Sequence, residues 1–273
     1  MPNGFEFEVN VPVLTDFRMQ YYVRDGEELY DARIYPPHVD DAVEFYILLE
    51  GDVSFMVEHS LYRLSSGDIV ISKPNEMHNC ILNTHSRHRH MCFWFDPSED
   101  FLFSDFLAHD FGENNVCSPT PEDAARIAEI CRELYDVSKE GGDKVSEFHL
   151  GLQLLYYVRK NLGTHGQSLV IPEMLRRILD DIHTDLPSIH SLSYFFDKYF
   201  ISPSTLSRLF RKYLRTSPKV YLETKRLAYS RVLLRRGMSV AEAAEAAGFP
   251  DYSNYIRLFR NRFGVTPLQY RNS

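Results

Sequence analysis

The sequence predicts an α+β chain of two domains: an N-terminal β-barrel that carries a helical region, and a C-terminal all-α domain with two helix-turn-helix units. Three observations lead there. Short apolar runs broken by turn residues at roughly 8 to 12 residue intervals occupy the first hundred positions. Helical periods replace them after Pro97. The charge then changes sign: 13 basic and 29 acidic residues precede Pro172, net −16, whereas 17 basic and 9 acidic residues follow from Pro172 onward, net +8. An acidic whole with a basic final hundred residues reads as two modules with different partners, the second suited to a polyanion.

The composition sets the outer bounds. With 273 residues, 44% of them apolar and 14% aromatic, the chain is neither disordered nor collagenous and is long enough for two cores. No basic stretch followed by an apolar run opens it, and no run approaches the roughly 18 apolar residues of a membrane span. A cytoplasmic protein with no membrane partner is expected. Cys80, Cys92, Cys117 and Cys131 are widely spaced without a C-x-x-C pair, which predicts reduced, buried thiols and no zinc ribbon.

In order along the chain, residues 1–100 are expected to form the barrel. Its clearest strands are Phe45–Leu49, Val53–Val57, Ile69–Ile71 and Met91–Phe95. Glu50-Gly51-Asp52 and Ser65-Ser66-Gly67-Asp68 supply turn glycines. Residues 101–163 are expected to be a helical dimerisation region with helices near 121–140 and 144–162; Pro121-Glu122-Asp123 is a helix start. In the second helix Val145, Phe148, Leu152, Leu155, Tyr156 and Arg159 form a stripe that must pack on the barrel, on the other helix or on a second copy. Residues 164–172 read as a flexible linker, and 173–273 as the basic helical domain.

That domain contains a repeat with an offset of 49. Arg208-Leu209-Phe210-Arg211 returns as Arg257-Leu258-Phe259-Arg260, Ser217-Pro218 as Thr266-Pro267, and Tyr221 as Tyr270. In the first copy Ser202-Pro203 caps a helix whose apolar stripe is Leu206, Leu209, Phe210 and Tyr213; Ser204, Arg208, Arg211 and Arg215 lie opposite. The second copy buries Tyr255, Leu258 and Phe259 and presents Ser253, Arg257 and Arg260. Such faces suit a major groove, where an Arg fork meets guanine with two hydrogen bonds. A single face of this kind could equally keep a surface helix soluble. Upstream, Ser239 and Glu242 form a capping box and Gly248 ends a short alanine-rich helix. Residues 218–236 read as one connecting helix.

The segments Ile201–Phe210, Ala244–Phe249, Phe259 and Gly264-Val265-Thr266-Pro267 with Tyr270-Arg271 resemble the AraC/XylS family of bacterial transcription regulators. The resemblance spans about Leu175 to Arg271, and the family's cupin-like N-terminal barrel and helical dimerisation region would account for the rest. It implies base-edge contacts from Ser204, Ser207 and Arg208, and from Tyr252, Ser253, Ile256 and Arg257. Arg211, Lys212 and Arg260 complete the expected DNA-binding set. Two positions depart from the family pattern: Phe196 stands where a small residue packs the helix crossing, and Arg215 where glycine follows the reading helix.

In the barrel, His38-x-Asp40-x3-Glu44-x6-Gly51 and Gly67-Asp68 with Pro74-Asn75-Glu76-Met77-His78 resemble the two cupin motifs, with Asp40 in place of the second histidine. His38, Glu44 and His78, with or without Asp40, could hold a divalent metal. His90, Cys92 and Trp94 alternate onto one strand face, as do Glu44, Tyr46 and Leu48. The expected effector site is therefore His38, Glu44, Tyr46, His78, His90 and Trp94, for a small polar molecule such as a sugar, unless His90 and Trp94 merely fill the core. His85, His88 and His90, separated by Arg87 and Arg89, read as a solvated loop. The expected function is a non-enzymatic, effector-responsive DNA-binding regulator acting as a homodimer, with no cofactor and with RNA polymerase as a partner if it activates. The alternatives are a metal-dependent cupin enzyme fused to DNA-binding helices, and a nonspecific architectural DNA binder.

Overall fold

The structure, a computed structural model, describes residues 4–10, 18–26, 37–84, 87–95, 107, 109–139, 141–164 and 167–272. It divides into two compact units, the N-terminal one ending at Leu169 and the C-terminal one opening at Val170, with the short stretch Pro36–Val39 grouped with the second.

The N-terminal unit is built on two antiparallel sheets. The six-stranded sheet has the order β1 (Gly4–Asn10), β2 (Arg18–Gly26), β8 (His88–Phe95), β3 (Val43–Glu50), β6 (Ile69–Ser72) and β9 (Val116–Cys117). The other has the order β10 (Gln167–Ser168), β5 (Ser60–Leu64), β4 (Val53–Val57) and β7 (His78–Leu82). Among the described residues the two ladders stay separate, so the cupin-like barrel is an arrangement of two facing layers rather than a closed cylinder.

Strands β3, β6 and β8 are buried on both faces, which is why they read as continuous apolar runs instead of alternating ones. Tyr46, Leu48, Val70 and Cys92 point toward the smaller sheet and pack with Val53, Phe55, Val57, Tyr62 and Leu64. Phe45, Ile47, Ile71, Phe93 and Phe95 point the other way, toward the helices α1 (Pro121–Lys139) and α2 (Lys144–Lys160). Helix α1 starts at the expected Pro121, and Asp143 caps α2 by accepting from the Val145 and Ser146 amides. The turn glycine Gly67 has φ 96°, and a Cβ there would sit 2.8 Å from that of Ala124 on α1. This turn thus needs both the left-handed backbone and the missing side chain.

Three expectations need correction. The inward stripe of α2 is Leu150, Leu154, Leu155 and Val158, whereas Val145, Leu152 and Tyr156 are exposed. The expected stripe therefore divides: Phe148 and Leu155 pack inward, and its exposed members match only the second-copy alternative. The supposed linker is partly sheet: Gln167 and Ser168 pair with Arg63 and Tyr62, and the Leu169 amide donates to Leu61 O at 2.7 Å. These bonds satisfy backbone groups that β5 would otherwise leave open along its edge. His165 and Gly166 of that stretch lie outside the described residues. Finally, His88 and His90 are not a solvated loop but buried members of β8; His85 lies outside the described residues.

The cysteines are free, with Cys92, Cys117 and Cys131 buried and Cys80 half-buried. Burial pushes the Cys117 and Cys131 thiols up to about 12, so neither is reactive at neutral pH.

The C-terminal unit is helical: α3 (Glu173–Thr184), a 3-10 turn at Leu186–Ser188, α4 (Ser193–Tyr199), α5 (Pro203–Tyr213), α6 (Pro218–Arg235), α7 (Val240–Ala246), α8 (Tyr252–Phe263) and α9 (Pro267–Asn272). Ser202, Ser217, Ser239 and Asp251 cap α5, α6, α7 and α8, each accepting a backbone N–H three residues on. The capping box of Ser239 and Glu242 is present. Among the described residues, no helix is long and apolar enough to cross a membrane.

Candidate functional site

In the C-terminal unit, α4 with α5 and α7 with α8 form two helix-turn-helix pairs. Helix α5 buries Leu206 and Phe210 and half-buries Leu209 and Tyr213; α8 buries Tyr255 and Phe259 and half-buries Leu258. These anchors fix the phase of the opposite faces. On α5, Ser204, Arg208, Arg211 and Lys212 are exposed and Ser207 is half-buried. On α8, Tyr252, Ser253, Arg257 and Arg260 are exposed and Ile256 is half-buried. Equivalent positions at the 49-residue offset therefore have equivalent surroundings. Arg257 Nη2 donates to Asn254 Oδ1 at 2.6 Å, which holds the guanidinium along its own helix.

The ends of these pairs differ. Arg215 follows α5 with φ 53°, and Gly264 follows α8 with φ 74°. The turns repeat the contrast, with Phe200 at φ 52° in the first pair and Gly248 at φ 78° in the second. Four residues before each turn stand Phe196, half-buried, and Ala244, buried. The departure noted at Arg215 is thus a left-handed arginine, and its companion Phe200, 95% exposed, has no local signal that would announce it.

Helix α6 joins the pairs and is buried around most of its circumference, charged residues included. Arg226 is the residue that reading by polarity missed. Its Nη2 donates to the carbonyls of Ile189 and His190, just before α4. Its Nε lies 3.3 Å from where a Cβ on Gly248 would stand, in the turn of the second pair. One guanidinium therefore spans parts of both helix pairs, and Gly248 leaves room for it. Arg231 lies over the Phe263 ring at 4.8 Å.

In the N-terminal unit, pairing of β3 with β8 sets Glu44 opposite Trp94, Tyr46 opposite Cys92 and Leu48 opposite His90. The two sequence faces thus become one wall. Tyr46 and His90 stack with ring centroids 4.7 Å apart, and His90 stacks on His88 at 4.6 Å. Tyr46 Oη lies 2.6 Å from His88 Nε2 and 3.5 Å from Cys80 Sγ. Burial first, and Cys80 second, raise the Tyr46 phenol well above its ordinary value, so it remains a hydrogen-bond donor.

One step along the strands, Glu44 gathers the other expected residues. His78 Nε2 is 2.9 Å from Glu44 Oε2, and Trp94 Nε1 donates to the same oxygen at 3.2 Å. Asp40 Oδ2 is 3.3 Å from His78 Nε2. One donor atom each from Asp40, Glu44 and His78 lie within 4.8 Å of one another, and the expected His38 falls in the stretch grouped with the C-terminal unit. Burial alone would lower the His78 pKa; Glu44 and Asp40 outweigh it and hold the imidazole well above its ordinary value. Glu76, from the same motif, is turned to structural use: its carboxylate accepts from Lys73 N, Gly112 N and Asn115 Nδ2. It ties the 112–115 stretch to the β6–β7 turn.

Comparison with known proteins follows this division. Residues 25–156 match the AraC-like ligand binding domain family, and residues 196–273 match the helix-turn-helix domain family. The chain is 32% identical over 123 residues to the uncharacterized HTH-type transcriptional regulator YijO of Escherichia coli K12, covering 43% of this chain and 42% of that protein. It is 31% identical over 125 residues to the HTH-type transcriptional activator RhaS of Escherichia fergusonii, covering 45% and 44%. The chain therefore spans less than half the length of these curated relatives. The crystal structure of apo ToxT from Vibrio cholerae is 14% identical, covering 93% of this chain and 97% of that one at a TM-score of 0.40; at that score the likeness adds nothing to the fold described above. With a ligand binding domain of this type followed by a helix-turn-helix domain, the chain belongs to the AraC family of transcriptional regulators.

Proposed function

We propose that the protein is a sequence-specific, DNA-binding regulator of transcription whose N-terminal unit responds to a small effector. One observation carries this reading: α5 and α8 repeat the same anchored phase and the same outward set of hydroxyl and guanidinium groups in a unit of charge +8. In this reading α5 and α8 enter successive major grooves about one helical turn apart. Ser204, Ser207 and Arg208, with Tyr252, Ser253, Ile256 and Arg257, meet base edges; Arg211, Lys212 and Arg260 meet phosphates.

The effector end is the cluster of Glu44, His78 and Trp94, with Tyr46 and His90 around it. The exposed Val145, Leu152 and Tyr156 lie on one face of α2 and are the surface on which two copies pair. RNA polymerase is the further partner if the protein activates, and its place of action is the cytoplasm. As in the regulators it resembles, no catalysis is assigned.

Selection of bound sites from random duplex DNA tests the reading. An enriched motif with two half-sites about one turn apart is expected. Arg257→Ala should relax base preference in one half of that motif at a cost of about 1–3 kcal/mol. Lys212→Ala should weaken binding evenly across sequences and flatten its salt dependence. Equal loss on selected and scrambled DNA for Arg257→Ala would leave only nonspecific binding.

A further inference from the structure

We propose that Arg226 braces the two helix-turn-helix pairs against each other, and that this brace sets the spacing between the two DNA half-sites the protein accepts. The proposal rests on the reading of α5 and α8 as the DNA-reading helices and deepens it, by naming a positioning residue. Arg226 is only 5% exposed, so it acts through those helices and not by touching DNA.

The first argument is where the guanidinium stands. Helix α6 runs from the Arg215–Ser217 link after α5 to the Arg236–Met238 link before α7, and Arg226 lies at its middle. Its Nη2 donates to the carbonyls of Ile189 and His190, which lead into α4. A Cβ on Gly248, in the turn that leads into α8, would stand 3.3 Å from Arg226 Nε, 3.6 Å from its Nη2 and 3.6 Å from Pro187 O. Three segments distant in sequence thus meet at one point: the approach to the first pair, the middle of the connecting helix and the turn of the second pair. The chain link after α6 is by contrast open, for a Cβ on Gly237 would meet nothing within 4 Å.

The second argument is direction. Apolar packing also holds each pair to α6: Leu227, Leu233 and Leu234 cluster with Ala243, Ala244 and Ala247, and Phe210 meets Tyr221 edge-on with ring centroids 5.4 Å apart. Such contacts are non-directional and allow small shifts. A planar guanidinium bonded to two carbonyls does not. Burial lowers the Arg226 pKa, and Glu223 is the charged group that opposes this shift. An apolar side chain would fill the same space without desolvating a charge, so what arginine adds is a fixed placement. Small shifts matter here. Half-sites one turn apart lie about 34 Å from each other, and a pivot of about 6° over that distance moves a reading helix by about 3.5 Å, roughly one base-pair step.

The test uses the full chain and a set of duplexes in which both halves of the selected motif stay intact while the spacer is lengthened or shortened by one or two base pairs. The unaltered chain should favour one spacing by about 10-fold over its neighbours. Arg226→Met loses the charge and the fork; Arg226→Lys keeps the charge, loses the fork and guards against simple misfolding. Each should lose most of that factor of about 10, with base preference inside each half-site as before. A merely structural role gives another pattern, because a partly unfolded population lowers affinity for every spacing alike. Spacing preference unchanged in a variant that melts cooperatively overturns the proposal. A second measurement needs no DNA: pulsed electron resonance between nitroxides at Asp197→Cys and Asn261→Cys, both exposed, on α4 and α8, in a Cys80→Ser background. One narrow distance is expected with Arg226 in place, and a broadened or displaced distribution in Arg226→Lys. Unchanged distances overturn the brace whatever the DNA result. A broadened distribution with no two-half motif enriched from random DNA supports the brace and sinks the regulator; an enriched motif with unchanged spacing preference sinks the brace alone.

Discussion

The two helix-turn-helix pairs meet the same geometric demand with different residues. Both must reverse the chain between helices and stop the second helix, and both do so with left-handed backbone. The second pair uses Gly248 and Gly264, at φ 78° and 74°; the first uses Phe200 and Arg215, at φ 52° and 53°. Glycine takes this conformation freely, whereas an ordinary side chain costs on the order of 1 kcal/mol. The interiors differ in the same sense: Ala243, Ala244 and Ala247 are buried in α7 and its cap, Phe195 and Tyr199 in α4. A repeated motif therefore keeps its anchors and caps while the residues that make its turn comfortable drift. The first pair is held by ring bulk against local strain, the second by close backbone packing.

The largest expected effect probes what the pairs share. Phe210 and Phe259 are equivalent at the offset and both 0% exposed. Truncating either to alanine should cost about 3–5 kcal/mol, read from urea midpoints. Hydrogen exchange should then show protection falling first in the pair that was cut. If both pairs lose protection together, α6 couples them into one cooperative block and the comparison must be made at the level of the whole unit.

Arg226→Ala comes next, at about 2 kcal/mol, because it strips the donor from the buried carbonyl of Ile189 and the part-buried one of His190. Substituting the two glycines sharpens the contrast further. Gly248→Ala combines positive φ with a Cβ 3.3 Å from Arg226 Nε, whereas a Cβ at Gly264 meets nothing within 4 Å. Gly264→Ala should cost about 1 kcal/mol from backbone strain alone, and Gly248→Ala should cost more. In the Arg226→Ala background that excess should vanish, and a double-mutant cycle measures it.

How much of this could be read beforehand depended on where the physics is local. Caps and anchors are local: Ser202, Ser239 and the Leu206 and Phe210 stripe place their helices correctly. Continuous apolar runs such as Phe45–Leu49 also revealed strands, since burial on both faces needs no partner to be recognised. The pairing of Glu44 with Trp94 is not local; it depends on which strands become neighbours. His88 and His90 were hidden by Arg87 and Arg89, whose charge reads as solvent while the strand buries alternate residues. Arg226 was hidden for a related reason: charge suggests surface until two carbonyls are shown to need it. The phase of α2 was not legible because its exposed face also carries apolar residues, Val145, Leu152 and Tyr156.

The smallest effects test the direction of the comparison itself. Arg215→Gly and Phe200→Gly should stabilise the protein, whereas replacing a residue with glycine ordinarily destabilises. Relief of left-handed strain contributes about 1–2 kcal/mol, and the greater freedom of glycine in the unfolded chain takes back about 0.5–1 kcal/mol. A net gain of about 0.5 kcal/mol each is expected, visible as a higher urea midpoint at unchanged slope. The two variants then part ways on DNA. Phe200 carries no charge, so its replacement should leave the salt dependence of binding as it was. Arg215 is exposed just beyond the end of α5, and if its guanidinium sits on a phosphate, Arg215→Gly should gain stability while losing affinity and about one unit of salt slope. That outcome would mean that the first pair tolerates strain because the arginine at its end is used. Stability gained with DNA binding intact would mean that the strain is unselected drift in a pair that the rest of the unit holds in place.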